Sequence, residues 1–316
     1  MRDSSHALLF GHPWRMGVPY LMLLIWLVFV SCAQAGDIST RLAGSGIVPE
    51  RHTRGILFRI EHDNLAPSYV LGTIHIDDPR VMALMPHFQP YLHTSRILCT
   101  EVKLDFAAAA AEMRTMFFHD GRTLATVLQD KDLYLRLKDL ADQRGLPEPM
   151  IRNMKPWAAA YLLSMPLPKG QVLDDKLFTD AIRDGKKVCG LESVEEHTRV
   201  FDAFTIADQI YMLRETVDHI DDVDRNLKEL LSTYLARDLS RMANLVIDAP
   251  GMQDARIQQL FFKHLLIDRN EKMVARMQPE LGKGSAFFAI GAMHLTGEKG
   301  VLRLLETRGY RIEKVY

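Results

Sequence analysis

The chain has 316 residues, of which 47% are apolar and 25% charged, with a formal net charge of -1 at pH 7. That length supports a sizeable core in one large domain or two small ones. The balanced charge lacks the basic footprint of nucleic-acid binding, so no nucleic-acid partner is expected. There is no low-complexity tract and no heptad seam, and no linker is long enough to divide the chain into two domains.

The N-terminus differs in kind from the rest. Arg2 and Arg15 precede the apolar run "YLMLLIWLVFV" (residues 20–30), which is followed by "SCAQAGD". A basic start, a short apolar stretch and an A-x-A-like site describe a signal peptide cleaved near Ala35. A bilayer span needs about 20 apolar residues, so an uncleaved anchor is the weaker alternative and the mature chain is expected to have no transmembrane span. Lipidation at Cys32 in "FVSC" is a further alternative, disfavoured because Phe29 stands where an aliphatic residue is preferred. The expectation is an exported chain, periplasmic or secreted, with a flexible segment over residues 36–54 and a folded domain over 55–316. It keeps Cys99 and Cys189, each inside an apolar run. A disulfide between them is allowed, but burial as two small hydrophobic residues is the preferred reading.

Two apolar runs, "GILFRIEH" and "SYVLGTIHI", flank the turn formers of "DNLAP" and predict a β-hairpin. A helix over about residues 78–94 leads to a third strand, residues 96–104. Beyond Phe106 the periodicity becomes helical, with Leu at helix-like intervals through "TLATVLQDKDLYLRLKDLADQRGL" and a stop at Gly145. "KPWAAAYLLSM" starts another helix with Pro156 in its first turn, where proline is tolerated. "LDDKLFTDAIRDGKKVCGLES" reads as a helix, a stop at Gly185 and a strand ending at Glu192. A long helical stretch follows over residues 194–277, broken near Pro250 and Gly251. The chain closes with strand "SAFFAIGAMHL", a helix and a last strand "RIEKVY". Helices between apolar strands predict an α/β (or α+β) fold with a mixed, partly parallel central sheet, an N-terminal β-hairpin and an extensive helical cover.

The motif that carries chemistry occurs twice: Gly72 and His75 in "GTIH", then Gly291 and His294 in "GAMH". Chance alone predicts about 0.7 G-x-x-H matches in this composition, so two copies mean little without context. Context raises their weight, because both follow strongly apolar strands. The C-terminal edge of an open α/β sheet is where ligand sites form, and glycine there lets the backbone turn or another group approach. Glu101 ends another such strand. Two imidazoles and one carboxylate suit a divalent transition ion such as manganese, cobalt or zinc, which activates water for attack on a carbonyl carbon. The competing reading is two core histidines and a solvated strand-end carboxylate. Glu192 is a fourth candidate by the same logic, although Ser193 to Glu196 beside it has the form of a capping box. Glu195, Glu196 and His197 are adjacent, do not share a helix face, and read as a solvated helix start. The chain has no H-E-x-x-H, no G-x-S-x-G elbow and no P-loop.

Taken together, "YVLGTIHI", "TEVKLD", "KPWAAAYLL", "LDDKLFTDAIRDGKKVCGLESVEEH", "LLIDRNEKM" and "FFAIGAMHLTGEKGVLRLLETRGYRIEKV" resemble the TraB/GumN family, which includes the TIKI metalloproteases. The resemblance runs from about Gly55 to Tyr316. It implies a divalent metal on His75, Glu101 and His294, and matches the family's Arg-Asn pair to Arg269 and Asn270. Its "GLE" position is Glu192, and His197 stands where many relatives have Gln. The expected activity is an exported metal-dependent hydrolase acting on a peptide or protein. In it Glu101 holds the metal, Glu192 is a candidate general base and Arg269 a candidate electrostatic stabiliser. A second expectation is a non-catalytic cell-envelope binding or assembly protein, holding metal, haem or a glycan and linked to polysaccharide or surface biogenesis. No pattern in the chain sets an oligomeric state.

Overall fold

The computed structural model describes residues 51–103, 106–165 and 170–316. The leader expected over residues 1–35 therefore lies outside the described residues, as do residues 36–50. Among the described residues, no helix is long and apolar enough to cross a membrane.

Six strands form one sheet: β1 Leu57–Glu61, β2 Ser68–Thr73, β3 Ile97–Val102, β4 Lys187–Glu192, β5 Ala286–Gly291 and β6 Arg311–Lys314. Their spatial order is β4-β3-β5-β2-β1-β6. Strands β4, β3, β5 and β2 are mutually parallel, whereas β1 pairs antiparallel with both β2 and β6. The expected mixed sheet with its N-terminal hairpin is therefore the observed architecture. The near-continuous apolar runs of β3 and β5 follow from burial on both faces, which helices on either side provide. Edge strands β4 and β6 are more open, with exposed positions at Lys187 and Gly190 in β4 and over most of β6.

The last central strand is a late arrival. The chain passes from β2 to β3 to β4, and only after about a hundred further residues returns as β5 to fill the slot between β2 and β3. The resulting register places Thr73 opposite Gly291, so the two glycine–histidine segments finish side by side.

The helical cover is more divided than the periodicity suggests. The helix expected over residues 78–94 is two, Pro79–Met82 and Met85–Thr94. Pro86 has no N–H to give the Met82 carbonyl, so the ladder breaks there. The stretch over residues 194–277 breaks repeatedly, not only near Pro250. Thr205, Asp238 and Asp254 each begin a new helix by accepting a bond from a backbone N–H three residues on.

The cysteines also differ from the preferred reading: Cys99 and Cys189 form a disulfide. They are direct neighbours in the β3–β4 pairing, with Cα atoms 4.5 Å apart, so no backbone movement is needed to join them. Two strand cysteines 90 residues apart in sequence give no hint of register until the strands pair. Closing a loop of that length removes denatured-state entropy worth about 4–5 kcal/mol in the chain-entropy picture. The double variant Cys99→Ser/Cys189→Ser is therefore expected to lower the urea-unfolding free energy by a few kcal/mol. Thiol titration of the unfolded mature parent should find no free thiol before reduction.

Candidate metal centre

Four parallel strands end at one edge of the sheet, and each delivers a reactive group there. His75 lies two residues beyond β2, Glu101 is the penultimate residue of β3, and Glu192 is the final residue of β4. His294 sits in the 3-10 turn Ala292–Leu295 that follows β5 directly. The structure thus brings His75, Glu101, His294, Glu192 and Arg269 together.

The two motif glycines have separate physical reasons. A Cβ on Gly72 would lie 2.7 Å from Leu295 Cδ1 and 2.9 Å from Ala292 Cα, so this glycine admits the turn that carries His294. A Cβ on Gly291 would lie 3.1 Å from Glu101 Oε1, 3.6 Å from His294 Cδ2 and 3.9 Å from His75 Nε2. Gly291 therefore leaves a gap between the three predicted ligands. Its φ of -52° is open to any residue, so the requirement here is space rather than backbone freedom.

The hydrogen bonds around the histidines fix which nitrogen faces that gap. Asn270 donates from Nδ2 to the Lys299 carbonyl at 2.8 Å, which turns its Oδ1 toward His294 Nδ1 at 2.6 Å. An amide oxygen only accepts, so the His294 proton is on Nδ1 and the Nε2 lone pair is left free. His294 Nε2 stands 3.7 Å from Glu101 Oε1. Burial and the charge of Arg269 push His294 down to a pKa of about 4, so it is neutral at pH 7. His75 Nδ1 lies 2.8 Å from Asp174 Oδ2, off the line of a well-aligned hydrogen bond, and Asp174 Oδ1 accepts from the Thr73 hydroxyl at 2.8 Å.

Glu101 divides its two oxygens. Oε1 accepts from the Gly291 N–H at 2.6 Å and borders the gap, while Oε2 accepts from Arg269 Nη2 at 2.6 Å. Arg269 also grips Glu192 through Nε at 2.9 Å and Nη2 at 2.6 Å. Its Nη1 donates to the Leu265 carbonyl at 3.2 Å, within the π-helical turn Phe262–Ile267 that runs straight into the helix Asp268–Leu281. Such turns recur at functional sites, and this one lends a carbonyl to the guanidinium. Burial alone would raise both carboxyls. At Glu101 it is outweighed by the His294 ring, where that is protonated, and by the permanent charge of Arg269, which together hold the group well below the usual carboxylate range. At Glu192 hydrogen bonding to His197 and the charge and hydrogen bonds of Arg269 outweigh burial, and the group falls to about 2.

His197 is not in solvent. It is 1% exposed and its Nδ1 accepts from Arg269 Nη2 at 3.2 Å, which corrects its reading as part of a solvated helix start. Glu195 and Glu196 do face outward, and Ser193 with Glu196 forms the expected capping box. A signal was present: His197, Val200, Phe201 and Phe204 are all buried and recur at i, i+3, i+4 and i+7. Behind His197 lies Glu112, whose Oε1 is 3.9 Å from His197 Nε2. Burial and the charge of Glu101 push this carboxyl well above its ordinary pKa. Asp174 and Glu112 are the two site neighbours that the sequence reading did not single out.

Glu101, Glu192 and His197 form a buried group whose donor atoms lie within 4.8 Å of one another, a grouping that can hold a metal. The Arg269 guanidinium already stands among them, however, bonded to all three. A cation there would have to displace a buried arginine from two carboxylates. The gap over Gly291 has no such occupant among the described side chains, and two imidazoles with a carboxylate are the donors a divalent transition ion favours.

Fold and site define an α/β protein with a buried ion-pair cluster and a two-histidine, one-glutamate donor set at the C-terminal edge of its parallel strands. The chain belongs to the TraB/PrgY/gumN family, whose model matches residues 56–314. It is similar to Metalloprotease TIKI2 of Danio rerio, at 24% identity over 95% of this chain and 68% of that protein. It is similar also to Metalloprotease TIKI1 of Danio rerio, at 25% over 84% of this chain and 64% of the relative. For Metalloprotease TIKI1 of Homo sapiens the identity is 24%, over 81% and 61%. The chain therefore spans between 61% and 68% of the length of these relatives. No solved structure matches it.

Removing one partner from a buried ion-pair network leaves charge uncompensated and typically costs about 3–5 kcal/mol. Arg269→Ala is accordingly expected to destabilise by that order in urea unfolding. Glu192, held near 2 against an ordinary 4.5, contributes stability that is present above pH 4.5 and lost as pH falls toward 2. Unfolding measured across that window should show the loss, and Glu192→Gln should flatten it.

Proposed function

We propose that this chain is an exported, divalent-metal-dependent hydrolase, a peptidase acting on a peptide or protein, with the ion held by His75, Glu101 and His294. One observation carries the reading: His75 Nε2, the His294 ring and Glu101 Oε1 border a gap that exists because residue 291 has no side chain. His294 Nδ1 is hydrogen-bonded to Asn270 Oδ1 and His75 Nδ1 lies 2.8 Å from an Asp174 oxygen, contacts of the kind that orient metal-ligating histidines. When bound there, the ion would polarise a carbonyl and activate water, as manganese, cobalt and zinc all do. The metalloprotease relatives support the same class.

The protein's own groups divide the remaining work. Glu101 stays ionised because Arg269 neutralises one of its oxygens, leaving the other for the ion. Glu192 takes a different part from the one its position suggests. A carboxylate held near pKa 2 and gripped twice by a guanidinium is a poor proton acceptor at neutral pH, so Glu192 serves here as the clamp on Arg269. Arg269, buried and bonded to both carboxylates, serves to hold Glu101 and Glu192 ionised and in place, since its charge is balanced there and not free to meet a substrate oxygen. Export is supported by the leader-like N-terminus and by the Cys99–Cys189 disulfide, which suits an oxidising compartment.

The test is metal content by elemental mass spectrometry on residues 36–316 after reconstitution with manganese, cobalt or zinc, followed by a peptide-library screen. Near-stoichiometric metal is expected in the parent and its loss in His75→Ala, His294→Ala and Glu101→Gln. Turnover that depends on the metal would support the peptidase, and metal without turnover would support the binding protein instead. A parent that takes up no metal would sink the reading. Gly291→Ala tests the gap by shape alone: the added methyl group should abolish metal uptake while changing unfolding stability by only about 1 kcal/mol, since helical or extended backbone at this φ accepts alanine.

A further inference from the structure

The two candidate ligand histidines are held by chemically different partners. His294 faces an amide oxygen, and His75 faces a carboxylate. The amide at position 270 is required as an amide. It donates to the Lys299 carbonyl and accepts from His294 at once, and a carboxylate would set oxygen against the Lys299 oxygen. The carboxylate at position 174 is different. Its Oδ1 accepts from the Thr73 hydroxyl, its Oδ2 lies 2.8 Å from His75 Nδ1 without the alignment of a hydrogen bond, and the group is 7% exposed. It also stands on the buried stripe of the helix Leu173–Arg183, among Leu173, Leu177 and Ala181, where an apolar residue would pack better. Desolvating a carboxylate on such a stripe is costly unless the charge meets a purpose.

We propose that Asp174 is a positioning residue: it holds His75 as the Nδ1–H tautomer with Nε2 aimed at the gap over Gly291, and its charge makes His75 the stronger of the two imidazole donors. The inference rests on the metal reading for its second half only, since the tautomer is a property of the metal-free chain. His75 lies beyond the end of β2, outside any strand or helix, so no ladder fixes its ring. Asp174 reaches it from a helix that begins about a hundred residues later, and through Thr73 it ties the same helix to the last residue of β2. Carboxylate partners of this kind orient ligand imidazoles and raise their basicity, and their loss typically costs about 10–100-fold in metal affinity.

Two substitutions separate orientation from charge. In Asp174→Asn the side chain can still accept from His75 and meet Thr73, so geometry survives and only the charge is lost. In Asp174→Ala both are lost. Nitrogen-15 NMR of the His75 ring in metal-free protein should show one tautomer in the parent and in Asp174→Asn, and a mixture in Asp174→Ala. Zinc affinity by chelator competition should fall about 10–100-fold in Asp174→Ala and by less in Asp174→Asn. Asp180→Asn, on the same helix and paired with Lys176 and Arg183, should lower stability without moving either readout. If Asp174→Ala does not fold, the affinity loss in Asp174→Asn carries the test. Parent-like tautomer and affinity in the Asp174 variants would overturn the proposal. If the parent binds no zinc, the metal reading fails, and the tautomer alone then decides: unchanged in Asp174→Ala it overturns the positioning role, mixed it supports it.

Discussion

Everything at this site depends on β5 entering the sheet between β2 and β3. Parallel neighbours finish at the same edge, so the insertion sets Gly291 level with Thr73 and the segments carrying His75 and His294 leave the sheet side by side. Such a slot is entered only if the crossing backbones fit. Here the fit is made by Gly72, over which the turn Ala292–Leu295 passes at a separation no side chain would allow. The repeated glycine–histidine pattern is therefore one device with two unequal halves. The first glycine lets the second segment approach, and the second glycine keeps the meeting place open.

Charge balance at that edge is handled by one residue. Glu101 and Glu192 end adjacent parallel strands, and two buried carboxylates that close would repel and one would neutralise. Arg269 lies between them with bonds to both, so both stay ionised. The arrangement has a consequence for where a cation can go. The densest set of donor atoms, Glu101 with Glu192 and His197, is satisfied internally by the guanidinium. The less dense set across Gly291 has His75 Nε2, the His294 ring and one Glu101 oxygen at its border. Donor density alone selects the side of Glu101 that the guanidinium already fills. Counting the arginine is what favours the proposed site across Gly291.

Much of this was legible in the sequence, and for a common reason. Strands buried on both faces are continuous apolar runs, so their ends are conspicuous, and a polar residue at such an end is easily noticed. His75, Glu101, Glu192 and His294 were all visible in that way. What stayed hidden depends on pairing or on helix faces. The Cys99–Cys189 disulfide requires knowing that β3 and β4 are neighbours in a particular register, which no local pattern encodes. His197 was misjudged because its acidic neighbours, Glu195 and Glu196, suggest a solvated turn, while the apolar positions that share its face lie downstream. The helix breaks at Thr205, Asp238 and Asp254 were written in ordinary capping residues, outweighed by the apolar periodicity on either side.

Asp174 shows the most useful form of that hidden information. It interrupts the apolar stripe of an otherwise regular amphipathic helix, in "LDDKLFTDAI", and so departs from what packing alone would select. Asp180, a turn and a half later, interrupts the same stripe but is met by Lys176 and Arg183 from its own helix. Among the described residues no lysine or arginine pairs with Asp174; Thr73 and His75 do, at and just beyond the end of β2. A charged group on a buried stripe is thus either balanced locally, in which case it secures the helix, or balanced at a distance, in which case it reports what the helix is packed against. By that distinction the helix Leu173–Arg183 is more than cover for β3 and β4. Its first turn is part of the wall that holds His75 in place.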